Sequence, residues 1–114
     1  MDKNFYITTP IYYPSAKPHM GHAYSSIIAD FFARFKRMDG FNVYFLTGTD
    51  EHGLKIQRAA EKNGIETSKF CDEISKTFKD LSKTLNLTNT DFIRTTEQRH
   101  KESVQHLWNE LKKN

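Results

Sequence analysis

The sequence predicts an α/β fold, a parallel β-sheet with flanking helices. Three observations predict it. A short alternating run at residues 5–9 is followed by a helical pattern from Gly21 to about Asp39. A near-continuous apolar run, Asn42-Val43-Tyr44-Phe45-Leu46-Thr47, comes next. Strand, helix and buried strand in this order make a βαβ unit, with parallel strands and a right-handed crossover.

Each element has its own signal. Phe5-Tyr6-Ile7-Thr8-Thr9 is aromatic and β-branched with period two, which reads as a strand. Proline has no N–H to give to a ladder, so Pro10-Ile11-Tyr12-Tyr13-Pro14 reads as a loop carrying aromatics. Its tyrosines are expected to cover the sheet end, the alternative being the wall of a ligand pocket. In Pro14-Ser15-Ala16-Lys17-Pro18-His19-Met20-Gly21-His22, the histidines bracket Met20 and Gly21 where the helix begins. They therefore sit on a strand-to-helix turn at a positive helix end, which suits an anion.

Along that helix Ala23, Ile27, Ile28, Phe31, Phe32 and Phe35 recur at three- and four-residue steps, and Asp30, Arg34, Lys36 and Arg37 take the other face. Asp39-Gly40 breaks it. The strand at 42–47 is expected to be buried on both faces. Gly48-Thr49-Asp50-Glu51-His52-Gly53 closes it at its C-terminal end, the edge where open α/β sheets bind ligands. Parallel strands bring residues 10–22 and 47–53 together there. A helix from Leu54 to Asn63 ends on Gly64. Thr67 or Ser68 can cap another, running to about Leu85 with Phe70, Ile74, Phe78, Leu81 and Leu85 on one face. Asp91-Phe92-Ile93-Arg94-Thr95 is a third strand, and Gln98 to Lys113 a last helix carrying Val104, Leu107, Trp108 and Leu111.

The 114 residues suffice for one small domain. No apolar run is long enough to cross a membrane, and the N-terminus lacks a signal-peptide layout. Cys71, the single cysteine, excludes an intrachain disulfide and a cysteine-rich zinc site here and suits the reducing cytoplasm, the expected location. A net charge of +3 fits contact with phosphates without demanding it. The mean hydropathy of −0.72 points to much exposed helix surface, or to packing against something else.

Three groups can carry chemistry. His19 and His22 could share a metal, but no third ligand is obvious beyond His52 or Asp50. Gly21, without a Cβ, lets a flat ring or a phosphate come close. Imidazoles at a positive helix end are expected to be neutral and still donate one N–H each, to a polyphosphate or to charge building on phosphorus. Asp50 can bind an ammonium or a ribose hydroxyl, or simply cap the next helix. Glu51 and His52 share that ambiguity, Thr47 and Thr49 read as turn formers, and Lys17 as a solvated lysine.

Taken together, Phe5-Tyr6-Ile7-Thr8-Thr9-Pro10-Ile11-Tyr12-Tyr13-Pro14, Lys17-Pro18-His19-Met20-Gly21-His22-Ala23-Tyr24 and Phe45-Leu46-Thr47-Gly48-Thr49-Asp50-Glu51-His52-Gly53 resemble the start of the methionyl-tRNA synthetases. Phe92-Ile93-Arg94-Thr95-Thr96, followed by Arg99-His100, resembles the same family. Ser15-Ala16 and Met20 depart from its usual residues. The resemblance implies the first half of a class I synthetase Rossmann-like nucleotide-binding fold. Residues 1–114 would be the N-terminal part of the catalytic domain, stopping near the start of the connective domain. A fragment that is inactive alone and exposes an apolar sheet edge is expected.

The resemblance also implies the chemistry. Methionine's carboxylate attacks the α-phosphate of ATP, which travels with Mg2+, and the methionyl group then passes to tRNA(Met). His19 and His22 match the catalytic, ATP-binding histidines, and Gly21 the glycine beside the adenine. Ile11, Tyr13 and Asp50 match the methionine-binding residues, with Asp50 on the ammonium. No metal ligand is expected among these residues, zinc belonging only to the connective domain. The rival readings are a related H-x-G-H nucleotidyltransferase and a non-catalytic ATP-binding remnant.

Overall fold

The computed structural model describes residues 3–113. Its order is β1 (Asn4–Thr8), α1 (Met20–Met38), β2 (Asn42–Thr49), α2 (Leu54–Lys62), α3 (Thr67–Thr84), β3 (Asp91–Arg94) and α4 (Gln98–Lys113). The strands form a three-stranded parallel sheet in the order β1-β2-β3. β1 and β2 are in register from Asn4↔Asn42 to Thr8↔Leu46, and β2 and β3 from Leu46↔Asp91 to Thr49↔Arg94. The sheet thus advances in one direction, and right-handed crossovers put α1 and the α2–α3 pair on the same face.

That single covered face corrects the expectation for β2. Phe45 is fully buried against Ala29 and Ala33 of α1, with Ile7 and Val43 beside it. The alternate positions face away: Tyr44 is 44% exposed, and its β1 neighbour Tyr6 is 61% exposed. β2 is therefore buried on one face only. A second cluster, Ile56, Ala60, Phe70 and Cys71, joins α2 to α3.

α1 is amphipathic as expected, but a stripe of small residues, not its large apolar side chains, meets the sheet. Its buried residues are Ser26, Ala29, Asp30 and Ala33, while Ile27, Phe31 and Phe35 are half or more exposed. Small side chains let the helix lie close on the sheet. Asp30 is buried because it is fully bonded: Oδ1 accepts from the Thr88 N–H at 2.7 Å and the Thr88 hydroxyl at 2.6 Å, and Oδ2 from Arg34 Nε at 2.7 Å. Arg34 and Arg37 reach on to Asn86 and Thr88. The polar face thus locks α1 to the segment before β3.

Two further details differ. Glu66, not Thr67 or Ser68, is the N-cap of α3, without a side-chain cap bond. α4 buries none of its residues, and Val104, Leu107, Trp108 and Leu111 lie exposed along it. Arg99 anchors its start by pairing with Asp91 and Glu97, which together with Phe92 N–H and Tyr44 holds the Asp91 carboxyl down at about 2. No helix among the described residues is long and apolar enough to cross a membrane.

Candidate active site

The turn into α1 is held by its own histidines. His19 is the N-cap, in extended backbone, and its Nδ1 accepts the Gly21 N–H at 3.0 Å. His22, one turn on, returns its Nδ1 to the His19 N–H at 3.0 Å. This is a capping box made from imidazoles in place of the usual hydroxyl and carboxylate. An Nδ1 that accepts carries no proton, so each neutral ring holds its hydrogen on Nε2 as the one donor left to offer. The hydrogen-bond network assigns this tautomer. Gly21 is needed for the ring itself: a Cβ there would lie 2.9 Å from His19 Cε1.

His22 is backed by two aromatics. Its ring stands edge-on to Tyr12 at 4.8 Å and to Phe78 at 5.0 Å, and 4.0 Å from the His19 ring. Burial, and then the neighbouring His19, push its pKa below the ordinary 6.5, which favours the neutral ring. Tyr12 is the buried cover that the sequence suggested, but its segment is more than a loop. Past Pro10 the chain rejoins the sheet: Tyr12 N–H donates to Gly48 O at 2.9 Å, and its carbonyl accepts the Asp50 N–H at 2.8 Å. The Tyr12 ring stacks on Phe78 and its hydroxyl bonds Ser26 Oγ at 2.9 Å.

Residues 10–22 and 47–53 do meet. The alternate positions Ile11 and Tyr13 are 45% and 41% exposed, and Asp50 is half-buried. Tyr13 Oη donates to the His52 carbonyl at 2.7 Å. Gly53, at φ +127°, makes this possible, since a Cβ would lie 2.4 Å from that oxygen. Asp50 caps nothing: Gly53 is the N-cap of α2, with no side-chain bond. The Asp50 carboxylate has no hydrogen-bond or ion-pair partner among the described residues.

Its neighbour Glu51 is the opposite case, fully enclosed and paired with Arg94 across to β3. Sequence reading left Glu51 ambiguous and gave Arg94 no role. The available signal was the parallel register, which sets Thr49 opposite Arg94. Thr49 is no mere turn former, since its hydroxyl donates to Glu51 Oε2 at 2.6 Å. A cleft of about 290 Å3 lies behind the pair, lined by His52, Ser68, Cys71 and Asp72 among others, away from the His19–His22 turn. Burial pushes the Cys71 thiol up, so it is no nucleophile. No group of three or more His, Cys, Asp or Glu side chains could hold a metal among the described residues.

Residues 5–114 match the family model described as tRNA synthetases class I (M). A mitochondrial methionine–tRNA ligase of Takifugu rubripes is 57% identical over 110 residues, which is 96% of this chain and 19% of that protein. A methionine–tRNA ligase of Listeria monocytogenes is 55% identical over 111 residues, 96% of this chain and 17% of its own length. The chain thus spans about a fifth of the length of such relatives. The Mycobacterium tuberculosis methionyl-tRNA synthetase in complex with methionyl-adenylate superposes with a TM-score of 0.92 at 48% identity, covering 94% of this chain and 21% of that one. By sequence across its length and by fold, this chain belongs to the class I tRNA synthetases of the methionine type.

Proposed function

We propose that these residues build part of the site at which a methionine–tRNA ligase activates L-methionine with ATP and passes it to tRNA(Met). The observation that carries the reading is the close match, in sequence and fold, to a synthetase solved with methionyl-adenylate. The methionine carboxylate oxygen attacks the α-phosphorus of ATP and the bond to pyrophosphate breaks; a ribose hydroxyl of the tRNA then attacks the methionyl carbonyl, the acyl–phosphate bond breaks and AMP leaves. Mg2+ accompanies ATP as part of the substrate. No covalent bond to the protein forms, so its task is positioning and charge stabilisation.

Each residue has a role in this reading. The Nε2–H groups of His19 and His22 donate to phosphate oxygens, more strongly as charge grows on them. Gly21 lies beside the adenine. The unpartnered carboxylate of Asp50 takes the methionine ammonium. Ile11, through its backbone, and the Tyr13 ring line the side-chain pocket, where an aromatic wall suits a polarizable thioether. Zinc has no part in the proposal for these residues. The compartment proposed is the cytoplasm, in keeping with a lone cysteine, although the Takifugu relative is named mitochondrial.

The test is ATP–pyrophosphate exchange by the protein that carries this chain. Exchange should require L-methionine, and Asp50→Ala should raise the KM for methionine by tenfold or more, the worth of a charge-assisted bond. Exchange without methionine would favour the related nucleotidyltransferase. Nucleotide binding without any exchange would favour the non-catalytic remnant.

A further inference from the structure

We propose that Glu51 and Arg94 are positioning residues for the amino-acid substrate, because their buried ion pair fixes the turn that carries Asp50. The inference rests on the reading of Asp50 as the ammonium-binding carboxylate. The Glu51 side chain has no exposed surface. Its Oε2 accepts from Arg94 Nε at 2.7 Å and from Thr49, and its Oε1 from Arg94 Nη2 at 2.7 Å and Thr96 Oγ1 at 3.1 Å. The Glu51 N–H donates to Thr95 Oγ1 at 2.8 Å. Asp72 Oδ1 accepts from the same Nη2 at 2.6 Å.

Asp50 therefore sits between two ties. Its own N–H is held by the Tyr12 carbonyl on the β1 side, and the next residue is held by β3. Its carboxylate is left unpartnered among the described residues. Stability alone is a weak reason for such a pair, since desolvation offsets much of the attraction and an apolar pair of similar volume would also join two strands. What the pair adds is direction. A guanidinium fork meets a carboxylate in one plane and at two points. A residue that must meet a substrate ammonium needs its support fixed to within about 0.5 Å.

Glu51→Gln and Arg94→Lys test this by ATP–pyrophosphate exchange in the protein that carries the chain. Both should raise the KM for methionine roughly tenfold, since each removes a bidentate charged bond. The KM for ATP should stay within about twofold, a split that general loosening would not produce. Thr96→Val, which removes only the 3.1 Å bond, should act in the same direction by about twofold to threefold and still reports if Glu51→Gln does not fold. An active wild type with an unchanged methionine KM in Glu51→Gln or Thr96→Val sinks this inference alone. So does an equal rise in both KM values with loss of cooperative melting. A wild type with no methionine dependence removes the reading of Asp50, and this inference with it.

Discussion

Replacing His19 by alanine and by asparagine separates its two jobs. In the fold its Nδ1 is the acceptor that satisfies the Gly21 N–H at 3.0 Å. Alanine removes that acceptor. The bond is solvent-exposed, so water takes part of its place and the cost falls at the lower end of the capping range, about 0.5–1 kcal/mol. Asparagine places an oxygen close to where Nδ1 lay and is itself a preferred N-cap, so it should restore stability to within a few tenths of a kcal/mol. Neither variant has a group where Nε2–H was, so both should lose the same share of nucleotide affinity. Urea unfolding followed by circular dichroism reads the first quantity, and titration with ATP the second. Asparagine as destabilising as alanine would show that Nδ1 is not the cap. Nucleotide affinity restored by asparagine would show that Nε2–H is not the donor.

Acid should open the other half of the capping box, because a protonated His22 Nδ1 becomes a donor facing the His19 N–H. Burial and the nearby His19 place the folded pKa of His22 below its ordinary 6.5. This part of the stability is present above pH 6.5 and is lost as pH falls through the lowered folded value. Helix content that stays flat from pH 7 down through that window would contradict the imidazole capping box.

Two further predictions follow from the packing. Gly48→Ala should cost about 3 kcal/mol or more, because a Cβ would lie 1.9 Å from the Ile93 carbonyl oxygen and the β2–β3 pairing must part; a wild-type urea midpoint would refute it. For Asp30, burial raises the carboxyl pKa, but the bonds from Thr88 and Arg34 outweigh it and leave a net lowering below 3.8. Its stabilisation is therefore present above that value and lost as pH falls through the folded one. Asp30→Asn should cost about 2–3 kcal/mol at pH 7 and flatten the acid limb of the stability profile; an unchanged limb would refute it.

Much of the architecture was legible because it is local. Helix periodicity, the Asp39-Gly40 and Gly64 breaks, and the β-branched runs placed every element within two residues or so of its observed ends. What could not be read is direction. The 3.6-residue period shows that α1 has an apolar and a polar face, but which stripe of residues meets the sheet depends on room. Ala29 and Ala33 fit where Phe31 and Phe35 would not, and Thr88 supplies what Asp30 needs to be buried. The site shows the same limit. The His19–His22 turn announced itself through its prolines and glycine. The Glu51–Arg94 pair spans 43 positions and exists only once the β2–β3 register is set. Tyr12 looked like the middle of a loop because Pro10 interrupts the ladder, yet the backbone regains Gly48 and Asp50 two residues later.

The imidazole capping box bears on how this turn can be studied at all. Serine at the first position and glutamate at the last would cap α1 at least as well. They would also leave the helix end with no neutral N–H donor beyond its backbone. Histidine can satisfy the backbone through one nitrogen and keep a hydrogen on the other, and it does so only while neutral. At His22, burial against Tyr12 and Phe78 and then the neighbouring His19 ring disfavour the charged form. The features that stabilise the fold here are therefore the same ones that set the donor. An alanine variant removes both at once, so a lost activity in His19→Ala says little about which was needed. Only replacements that keep one nitrogen's bond and drop the other's can assign the chemistry of this turn.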